Sequence, residues 1–381
     1  MLPYARQDIT QEDIDSVVKV LKSDFLTQGP QVPEFEKVIS KFCNTKYAIA
    51  VNSATSALHI ACLSLSLGPG DWIWTSAISF LASANCGLYC GAKVDFIDID
   101  PLTYNISPRA LEEKLIEAKK KGRLPKIVIP VHLCGQSCDM RAIHKLSVEF
   151  GFRIIEDASH AIGGRYLKEP IGNCKYSDIT VFSFHPVKII TTGEGGMAMT
   201  NNVELADRML LLRSHGSTRD PKQMIGNFEG EWYYQQIELG YNYRMTDIHA
   251  ALGISQFSRI ENNISRRHEI AKRYNLLLSD LPLKLPYQSP DGYSAFHLYV
   301  IRLDDQNLHK HFFTSMRKKG VNVNLHYIPL YRQPYYQCDR LIFSDFPESE
   351  SYYSEAISIP LFNAMSNQDQ DFVVQSIKDS L

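Results

Sequence analysis

Residues 180–200, TVFSFHPVKIITTGEGGMAMT, carry the strongest signal of the fold class. Two apolar, β-rich runs at residues 180–184 and 197–200 are separated by a glycine-rich loop with no helical pattern. A crossover between parallel strands usually contains a helix, so this loop is typical of antiparallel neighbours. The stretch therefore predicts a local hairpin of two buried strands.

Five more runs of strand length precede this hairpin, at residues 47–51, 72–75, 94–97, 127–131 and 153–155. The seven runs together fit one buried sheet. Most segments between them are long enough for crossover helices, which favours an α/β domain with a largely parallel sheet. Because the hairpin adds an antiparallel pair, we predict a mixed, mostly parallel seven-stranded sheet.

A smaller second domain is predicted downstream of this sheet. A helical pattern at residues 250–277 leads into a proline-rich segment, and runs at residues 297–303 and 321–325 then have strand character. We expect a large domain over residues 1–250 and a small C-terminal α+β domain over residues 251–381. Near the N-terminus, Thr10 and Asp13 have the spacing of a helix-capping box.

The composition is that of an ordinary soluble globular protein. The 381 residues are 44% hydrophobic, and 40 basic residues against 42 acidic ones give a net charge of -2. This balance provides no global attraction to nucleic acid or to an anionic membrane. The sequence does not open with a basic segment followed by an apolar run, and it contains no apolar stretch of about eighteen residues. We expect a cytoplasmic protein that binds a small molecule.

The eight cysteines are few for a disulfide scaffold in a chain of this length, and we interpret them as reduced thiols. Cys86 with Cys90, and Cys134 with Cys138, form two C-x-x-x-C pairs that would allow a four-thiolate metal site. The usual zinc spacing of two residues is absent from both pairs, so we predict no metal.

The segment IIEDASHA, residues 154–161, is an apolar strand that ends in acidic residues. In open α/β sheets ligands bind at the carboxyl ends of the strands, which places Asp157 well for a ligand. Taken alone, Asp157 is equally typical of a helix N-cap.

Lys188 follows another apolar strand and stands between an apolar flank and a tight glycine turn. Restricted solvent at such a position favours the neutral amine that imine formation requires. A single lysine in a loop is more often a solvated charge. The neighbouring motifs favour the chemical interpretation of Lys188.

The segment NSATSAL, residues 52–58, leads from a strand into an apolar helix. Free N–H groups at the helix start would bind a phosphate, assisted by the hydroxyl of Thr55 or Ser53, although simple capping is the alternative. An acid for a pyridinium, a lysine for an aldehyde and a phosphate cradle are together what pyridoxal 5'-phosphate (PLP) requires.

The blocks EDASHA (156–161), SFHPVK (183–188) and TTGEGG (191–196) resemble those of the DegT/StrS-type nucleotide-sugar aminotransferases. FLTQGP (25–30), NSATSAL and GYNYR (240–244) follow the family's order, so the resemblance covers nearly the whole chain. It implies a PLP-dependent transferase of fold type I, with the aspartate aminotransferase architecture. Within the family, the sequence is most similar to the pseudaminic-acid branch, although Cys134 departs from the small residue expected there.

The resemblance implies a role for each residue of the cofactor site. Lys188 would form the Schiff base and Asp157 would hold the pyridine nitrogen. The remaining cofactor-binding residues would be Ser183, Thr55 and the Ala54 backbone at the phosphate, His160 beside the ring oxygen, Phe80 on the ring face, and Asn242 at the phosphate of the second subunit. Phe80 is equally typical of a core residue.

The resemblance also implies a homodimer with composite active sites, because Asn242 would act across the subunit interface. Contacts with the nucleotide sugar are implied for Tyr4, Leu26, Thr27, His326 and Tyr327. The predicted reaction is a ping-pong transfer of an amino group from glutamate to a UDP-linked 4-keto-6-deoxy-N-acetylhexosamine.

The sequence motifs leave several alternative functions open. Another nucleotide keto sugar, aminated at C3 or linked to dTDP, would suit the same motifs. The family's dehydratases have a histidine in place of the lysine, so Lys188 argues against them. A non-catalytic regulator would need an appended segment, for which we expect no room, and no strand is followed by the G-x-G-x-x-G of a dinucleotide-dependent dehydrogenase.

Overall fold

The structure is a computed structural model, and it describes residues 1–226, 229–336 and 343–381. The helices are α1 (Gln11–Leu21), α2 (Gln31–Cys43), α3 (Ala54–Ser64), α4 (Ala82–Tyr89), α5 (Pro108–Lys120), α6 (Met140–Phe150), α7 (Val203–Leu212), α8 (Asp247–Phe257), α9 (Ile260–Leu277), α10 (His309–Lys318), α11 (Pro347–Glu355) and α12 (Asn367–Lys378). The strands are β1 (Tyr47–Val51), β2 (Trp72–Ser76), β3 (Lys93–Ile97), β4 (Ile127–Ile129), β5 (Arg153–Asp157), β6 (Arg165–Tyr166), β7 (Glu169–Pro170), β8 (Ile179–Ser183), β9 (Gly196–Thr200), β10 (Ser217–Thr218), β11 (Gln235–Gln236), β12 (Leu283–Lys284), β13 (Gly292–Tyr293), β14 (Tyr299–Leu303) and β15 (Ala356–Ile359).

All seven predicted runs form strands of one sheet, in the order β1-β9-β8-β5-β4-β2-β3. The neighbours from β8 to β3 pair in parallel, while β9 pairs antiparallel with both β8 and β1. The predicted mixed, mostly parallel sheet is therefore confirmed, and so is the antiparallel pair at residues 180–200.

Helices cover both faces of this sheet. Alternate residues of a strand point to opposite faces, and in β2 Ile73 packs with α3, α4 and α7 while Trp74 packs with α5 and α6. At the β1 edge, α2 and α8 cover the second face. The result is a three-layer α/β arrangement whose strands are buried on both sides.

A smaller antiparallel sheet has the order β12-β14-β15 and packs against α9, α10 and α12. The predicted strand at residues 297–303 is confirmed as β14. The predicted strand at residues 321–325 is wrong, since Val321 and Asn324 form only single bridges, to Leu2 and Ser358. The Asn324 side chain accepts from the backbone N–H of Leu325 at 2.9 Å, a local bond of the kind that competes with a strand ladder.

The proposed division at residue 250 falls inside α8, which packs against α1 and α2. The N-terminal Leu2 contacts the small sheet region through its bridge to Val321. The division into residues 1–250 and 251–381 stays a prediction. The helix start predicted at Thr10 is confirmed, because α1 begins at the next residue and the Thr10 N–H donates to Asp13 at 2.9 Å.

Among the helices that the structure describes, none has both the length and the apolar character needed to cross a membrane. In the same part of the chain seven cysteines are unpaired thiols, while Cys338 lies outside it. Cys86 and Cys138 pack on opposite faces of the large sheet, so the two C-x-x-x-C pairs cannot share one metal ion.

Candidate active site

A cavity of about 490 Å³ opens at the carboxyl ends of β5 and β8 and at the N-terminus of α3. It brings together ten of the residues predicted for the site, which are Tyr4, Ala54, Thr55, Phe80, Asp157, His160, Ser183, Lys188, His326 and Tyr327. These residues come from widely separated parts of the sequence. The cavity therefore forms only when both sheets and the N-terminal segment are folded together.

Asp157 is the last residue of β5 and is buried. One carboxylate oxygen accepts from the Ser83 hydroxyl at 2.6 Å, and the other accepts from the hydroxyl and N–H of Ser159 at 2.6 and 3.1 Å. The next element along the chain is the strand β6, so the alternative in which Asp157 caps a helix is wrong. The hydroxyl donors fix the orientation of the carboxylate within the cavity wall.

Lys188 lies in the turn after β8 and lines the cavity. Burial lowers the pKa of its amine from 10.5 to about 8, and the negative charge of Asp157 opposes this shift. Burial therefore shifts the amine toward its neutral form, which is the form that adds to a carbonyl carbon.

Three buried histidines, His160, His297 and His326, line the cavity. The Nε2 atom of His160 lies 3.1 Å from the Tyr327 hydroxyl oxygen. The ring centre of His160 lies 4.3 Å from that of His297. Burial lowers the pKa of all three imidazoles, and that of His326 falls to about 3. All three are neutral at physiological pH, so they add hydrogen-bonding groups without adding charge.

The N-terminus of α3 forms one wall of the cavity. Ser53 caps this helix by accepting from the Ser56 N–H at 3.1 Å, while Thr55 faces the cavity with the first helical N–H groups. At Gly196, where β9 begins, a Cβ atom would lie 2.4 Å from the Ala54 nitrogen. The absence of a side chain lets β9 approach α3 this closely. Ser183, which pairs with Gly196, is thereby placed beside the helix start.

Phe80 lies at the mouth of the cavity, with its ring centre 6.0 Å from that of Tyr327. Its side chain is 56% exposed, so the alternative of Phe80 as a core residue is wrong. The exposed ring leaves a face available to a planar ligand.

Three predicted site residues do not line this cavity within one chain. Leu26 is 47% exposed, Thr27 bridges to Thr246, and Asn242 bridges to Ser214. For Asn242 this agrees with a role toward a second subunit, but Leu26 and Thr27 are not brought to the cavity of their own chain.

Two further contributors were missed at the level of sequence. Ser83 donates to Asp157 and is also hydrogen-bonded to Ser79 at 2.7 Å. The spacing of four residues between these two serines, within the apolar block at residues 77–85, is the sequence signal for Ser83. His297 reaches the cavity from the segment before β14. No local pattern distinguishes His297 from a core histidine.

The residues present fit PLP. The buried Nδ1 of His160 has no hydrogen-bond partner in the described part of the chain, which suits a ring oxygen beside it. A carboxylate, an amine of lowered pKa and a helix N-terminus with hydroxyls line the same cavity, and these match the cofactor's pyridine nitrogen, aldehyde and phosphate.

Comparisons with known proteins agree with this geometry. The sequence model of the DegT/DnrJ/EryC1/StrS aminotransferase family matches residues 7–378. The chain is 38% identical over 384 residues to the spore coat polysaccharide biosynthesis protein SpsC of Bacillus subtilis, spanning 99% of this chain and 96% of SpsC. It is 37% identical over 385 residues to the UDP-4-amino-4,6-dideoxy-N-acetyl-beta-L-altrosamine transaminase of Campylobacter jejuni, spanning 100% and 96% of the two chains.

Among solved structures, Helicobacter pylori PseC, described as an aminotransferase involved in the biosynthesis of pseudoaminic acid, superposes with a TM-score of 0.91. It is 30% identical and covers 100% of this chain and 98% of PseC. Solved structures of similar sugar aminotransferases include a PLP form and a PMP form, which confirms the predicted cofactor and fold class. The chain therefore belongs to the DegT/DnrJ/EryC1/StrS aminotransferase family and is a PLP-dependent sugar aminotransferase.

Proposed function

We propose that this enzyme transfers the amino group of glutamate to C4 of a UDP-linked 4-keto-6-deoxy-N-acetylhexosamine by a ping-pong mechanism. The observation that carries the proposal is the cavity that unites Lys188 with Asp157, in a chain 37% identical over its whole length to a transaminase named for a UDP-linked dideoxy amino sugar. Chain-long similarity at this level, with an intact lysine, supports the same class of reaction.

The chain's own residues divide the chemistry between them. When bound, PLP supplies an electrophilic aldehyde and a ring that delocalises the electrons of a substrate carbon. Lys188 would hold the aldehyde carbon through its amine, and once displaced this amine would move a proton at the substrate carbon. Asp157 would keep a proton on the pyridine nitrogen, and Ser83 with Ser159 holds the carboxylate in place for this task.

His160 would hold the ring oxygen in a defined orientation. Burial raises the pKa of Tyr327, so its hydroxyl stays protonated and can donate to His160 Nε2. That hydrogen bond places the imidazole proton on Nδ1, the nitrogen without a partner. His160 would then donate to the ring oxygen as a neutral group.

The charge of the cavity supports a homodimer with composite sites. Apart from its histidines, the ionisable residues that line the cavity include one lysine, Lys188, and two acids, Asp157 and Glu194. The ligands bring the cofactor phosphate, a diphosphate and the carboxylates of glutamate. Binding this many anionic groups requires further cations and N–H donors. We propose that a second copy provides them near Asn242, together with contacts from Leu26 and Thr27.

Incubation with keto sugars and glutamate tests the substrate. We expect turnover of the UDP-4-keto-6-deoxy sugar, with the new amine at C4 in the NMR spectrum of the product, and parallel lines in initial-rate plots against both substrates. The dTDP-3-keto sugars and small 2-oxo acids serve as controls. Amination only of 2-oxo acids would contradict the nucleotide-sugar proposal.

A second candidate is a different nucleotide keto sugar. It is favoured by the 38% identity to SpsC, which is named as a spore coat polysaccharide biosynthesis protein. The same panel separates the two candidates. An amine at C3, or a preference for a dTDP-linked sugar, would select this alternative.

A further inference from the structure

Two buried serines, Ser79 and Ser83, connect the cavity to the carboxylate of Asp157 by hydrogen bonds. The turn into α4 brings this serine pair together, since its members are four residues apart and Ser83 belongs to the first turn of the helix. The Ser83 hydroxyl donates to Oδ2 of Asp157 at 2.6 Å, and the hydroxyl oxygens of Ser79 and Ser83 are 2.7 Å apart. Ser79 lines the cavity, whereas Ser83 is fully buried and does not. Ser79 is therefore the member of the pair that a ligand can reach.

The direction of each hydrogen bond in the serine pair follows from the number of hydrogens. A serine hydroxyl has one hydrogen to donate and two lone pairs with which to accept. The hydrogen of Ser83 is used on Asp157, so the Ser83 oxygen can only accept from Ser79. The hydrogen of Ser79 is then used on Ser83. The Ser79 oxygen therefore presents lone pairs, and no hydrogen, to the cavity.

The carboxylate of Asp157 keeps one accepting position for a ligand. Its Oδ1 accepts from the hydroxyl and the N–H of Ser159, at 2.6 and 3.1 Å, which uses both lone pairs of that oxygen. Its Oδ2 accepts from Ser83, which uses one of two. Among the residues that the structure describes, no other donor reaches Oδ2. The remaining lone pair of Oδ2 is therefore the position at which Asp157 can accept from the ring nitrogen of the cofactor.

We propose that Ser79 and Ser83 are positioning residues that keep the proton on the ring nitrogen of the cofactor, which rests on the task proposed above for Asp157. The hydroxyl hydrogens of Ser79, Ser83 and Ser159 are all used within the protein. At Asp157 and Ser79 the ring nitrogen meets accepting oxygens and no hydroxyl donor from these serines. Such surroundings favour the protonated nitrogen, because only that form can donate.

Ser83 controls this arrangement because it holds the hydrogen of Ser79. Without the Ser83 hydroxyl, the Ser79 hydroxyl is free to rotate and donate into the cavity, where it would stabilise the unprotonated ring nitrogen. Asp157 would keep its orientation through the two donors of Ser159. Loss of Ser83 should therefore weaken the hold on the ring proton. Loss of Ser79 should not, since its hydrogen does not reach the cavity.

Nitrogen NMR of the full-length holoenzyme tests the inference, with ¹⁵N at the ring nitrogen and the cofactor fixed on Lys188 by borohydride. The chemical shift of this nitrogen follows the loss of the ring proton as the pH is raised. In Ser83→Ala the midpoint should fall by roughly one pH unit. Ser79→Ala, the matched control, should keep the midpoint of the parent. The double variant, with both serines changed to alanine, should also keep it, because no hydroxyl is freed.

The double variant separates this role from a merely structural one. It leaves the larger gap beside Asp157, so a loosened carboxylate would lower the midpoint at least as far as in Ser83→Ala. An unchanged or higher midpoint in Ser83→Ala, or no recovery in the double variant, would overturn the inference. A parent whose ring nitrogen is unprotonated at every pH would instead contradict the task proposed for Asp157. The other titratable groups that line the cavity are the same in all samples, namely Tyr4, His160, His185, Lys188, Glu194, His297, His326 and Tyr327.

A neutron structure of the deuterated parent tests the same point without any variant. It should show the deuterium of Ser79 directed at Ser83 and the deuterium of Ser83 directed at Asp157. A Ser79 deuterium directed into the cavity would overturn the inference. This measurement decides alone if a serine variant does not fold.

Discussion

Lys188 and Asp157 show how two residues acquire different tasks from their surroundings. Burial drives the Lys188 amine toward its neutral form, and the charge of Asp157 limits that shift. Ser83 and Ser159 donate to the Asp157 carboxylate and hold it in one orientation. An amine of lowered pKa and an oriented carboxylate therefore line one cavity.

The covalent link to the cofactor is expected at Lys188. Borohydride reduction of the yellow holoenzyme should fix the cofactor on the peptide that contains Lys188, because this amine lines the cavity and has a lowered pKa. Lys188→Ala should keep the cofactor non-covalently and lose turnover by several orders of magnitude, since the proton carrier is gone. A label on Lys168 or Lys175 would contradict the assignment.

The rate of cofactor capture should depend on the ionisation of Lys188. A base whose pKa is lowered is neutral above that pKa, so covalent capture of PLP by cofactor-free enzyme should rise with pH around a midpoint near 8. Asp157→Asn removes the charge that raises the pKa, so its midpoint should lie below that of the wild type. Stopped-flow absorbance measures both midpoints, and Lys188→Ala is the control without a covalent phase. A midpoint near 10.5 would refute the role of burial.

Among the secondary-structure elements, the contact between β9 and α3 determines the shape of the phosphate cradle. A Cβ atom at Gly196 would lie within 2.4–2.6 Å of backbone atoms of Ser53 and Ala54. Backbone atoms cannot rotate away as a flexible side chain can. Any side chain at Gly196 must therefore displace the start of α3 itself.

Gly196→Ala should weaken both folding and cofactor binding. We expect a loss of about 1–3 kcal/mol in the free energy of unfolding, as for other overpacked sites, and a raised Kd for PLP. Urea unfolding and fluorescence titration measure the two effects. Gly68→Ala is the matched control, because a Cβ there meets nothing within 4 Å. Equal stability and equal affinity in the two variants would show that the cradle tolerates the displacement.

At the scale of the whole molecule, the segment around β10 and β11 leaves several large apolar side chains exposed in a single chain. Trp232 is 73% exposed, and Ile225 and Leu239 are also largely exposed on this segment. A group of exposed apolar residues is typical of an interaction surface. Asn242 follows the same segment, which supports the proposed contribution of one subunit to the site of its partner.

Mixed dimers test this arrangement. Lys188→Ala and Asn242→Ala subunits should each be inactive, and equal mixing with subunit exchange should restore about one quarter of wild-type activity. Half of the dimers would be mixed, and one of the two sites in each would be intact. Activity assays with native mass spectrometry measure recovery and exchange. The absence of recovery after confirmed exchange would place Asn242 outside the partner's site.

The sequence by itself determined the large sheet and the motifs around Lys188 and Asp157. Seven apolar runs buried on both faces leave a local signal, and so do a lysine before a glycine turn and an acid at a strand end. The strand predicted at residues 321–325 was wrong for a local reason too. Apolar residues alternate there with asparagine, which has the period of a strand, but the Asn324 side chain accepts from the backbone N–H of Leu325.

The tertiary structure decided which distant residues meet. Ser83 reaches Asp157 across 74 positions of sequence, and Tyr327 reaches His160 across 167. Only the folded chain buries the Lys188 amine enough to lower its pKa. Burial and contacts of this kind depend on the paths of several elements in space, and no local pattern of residues records them.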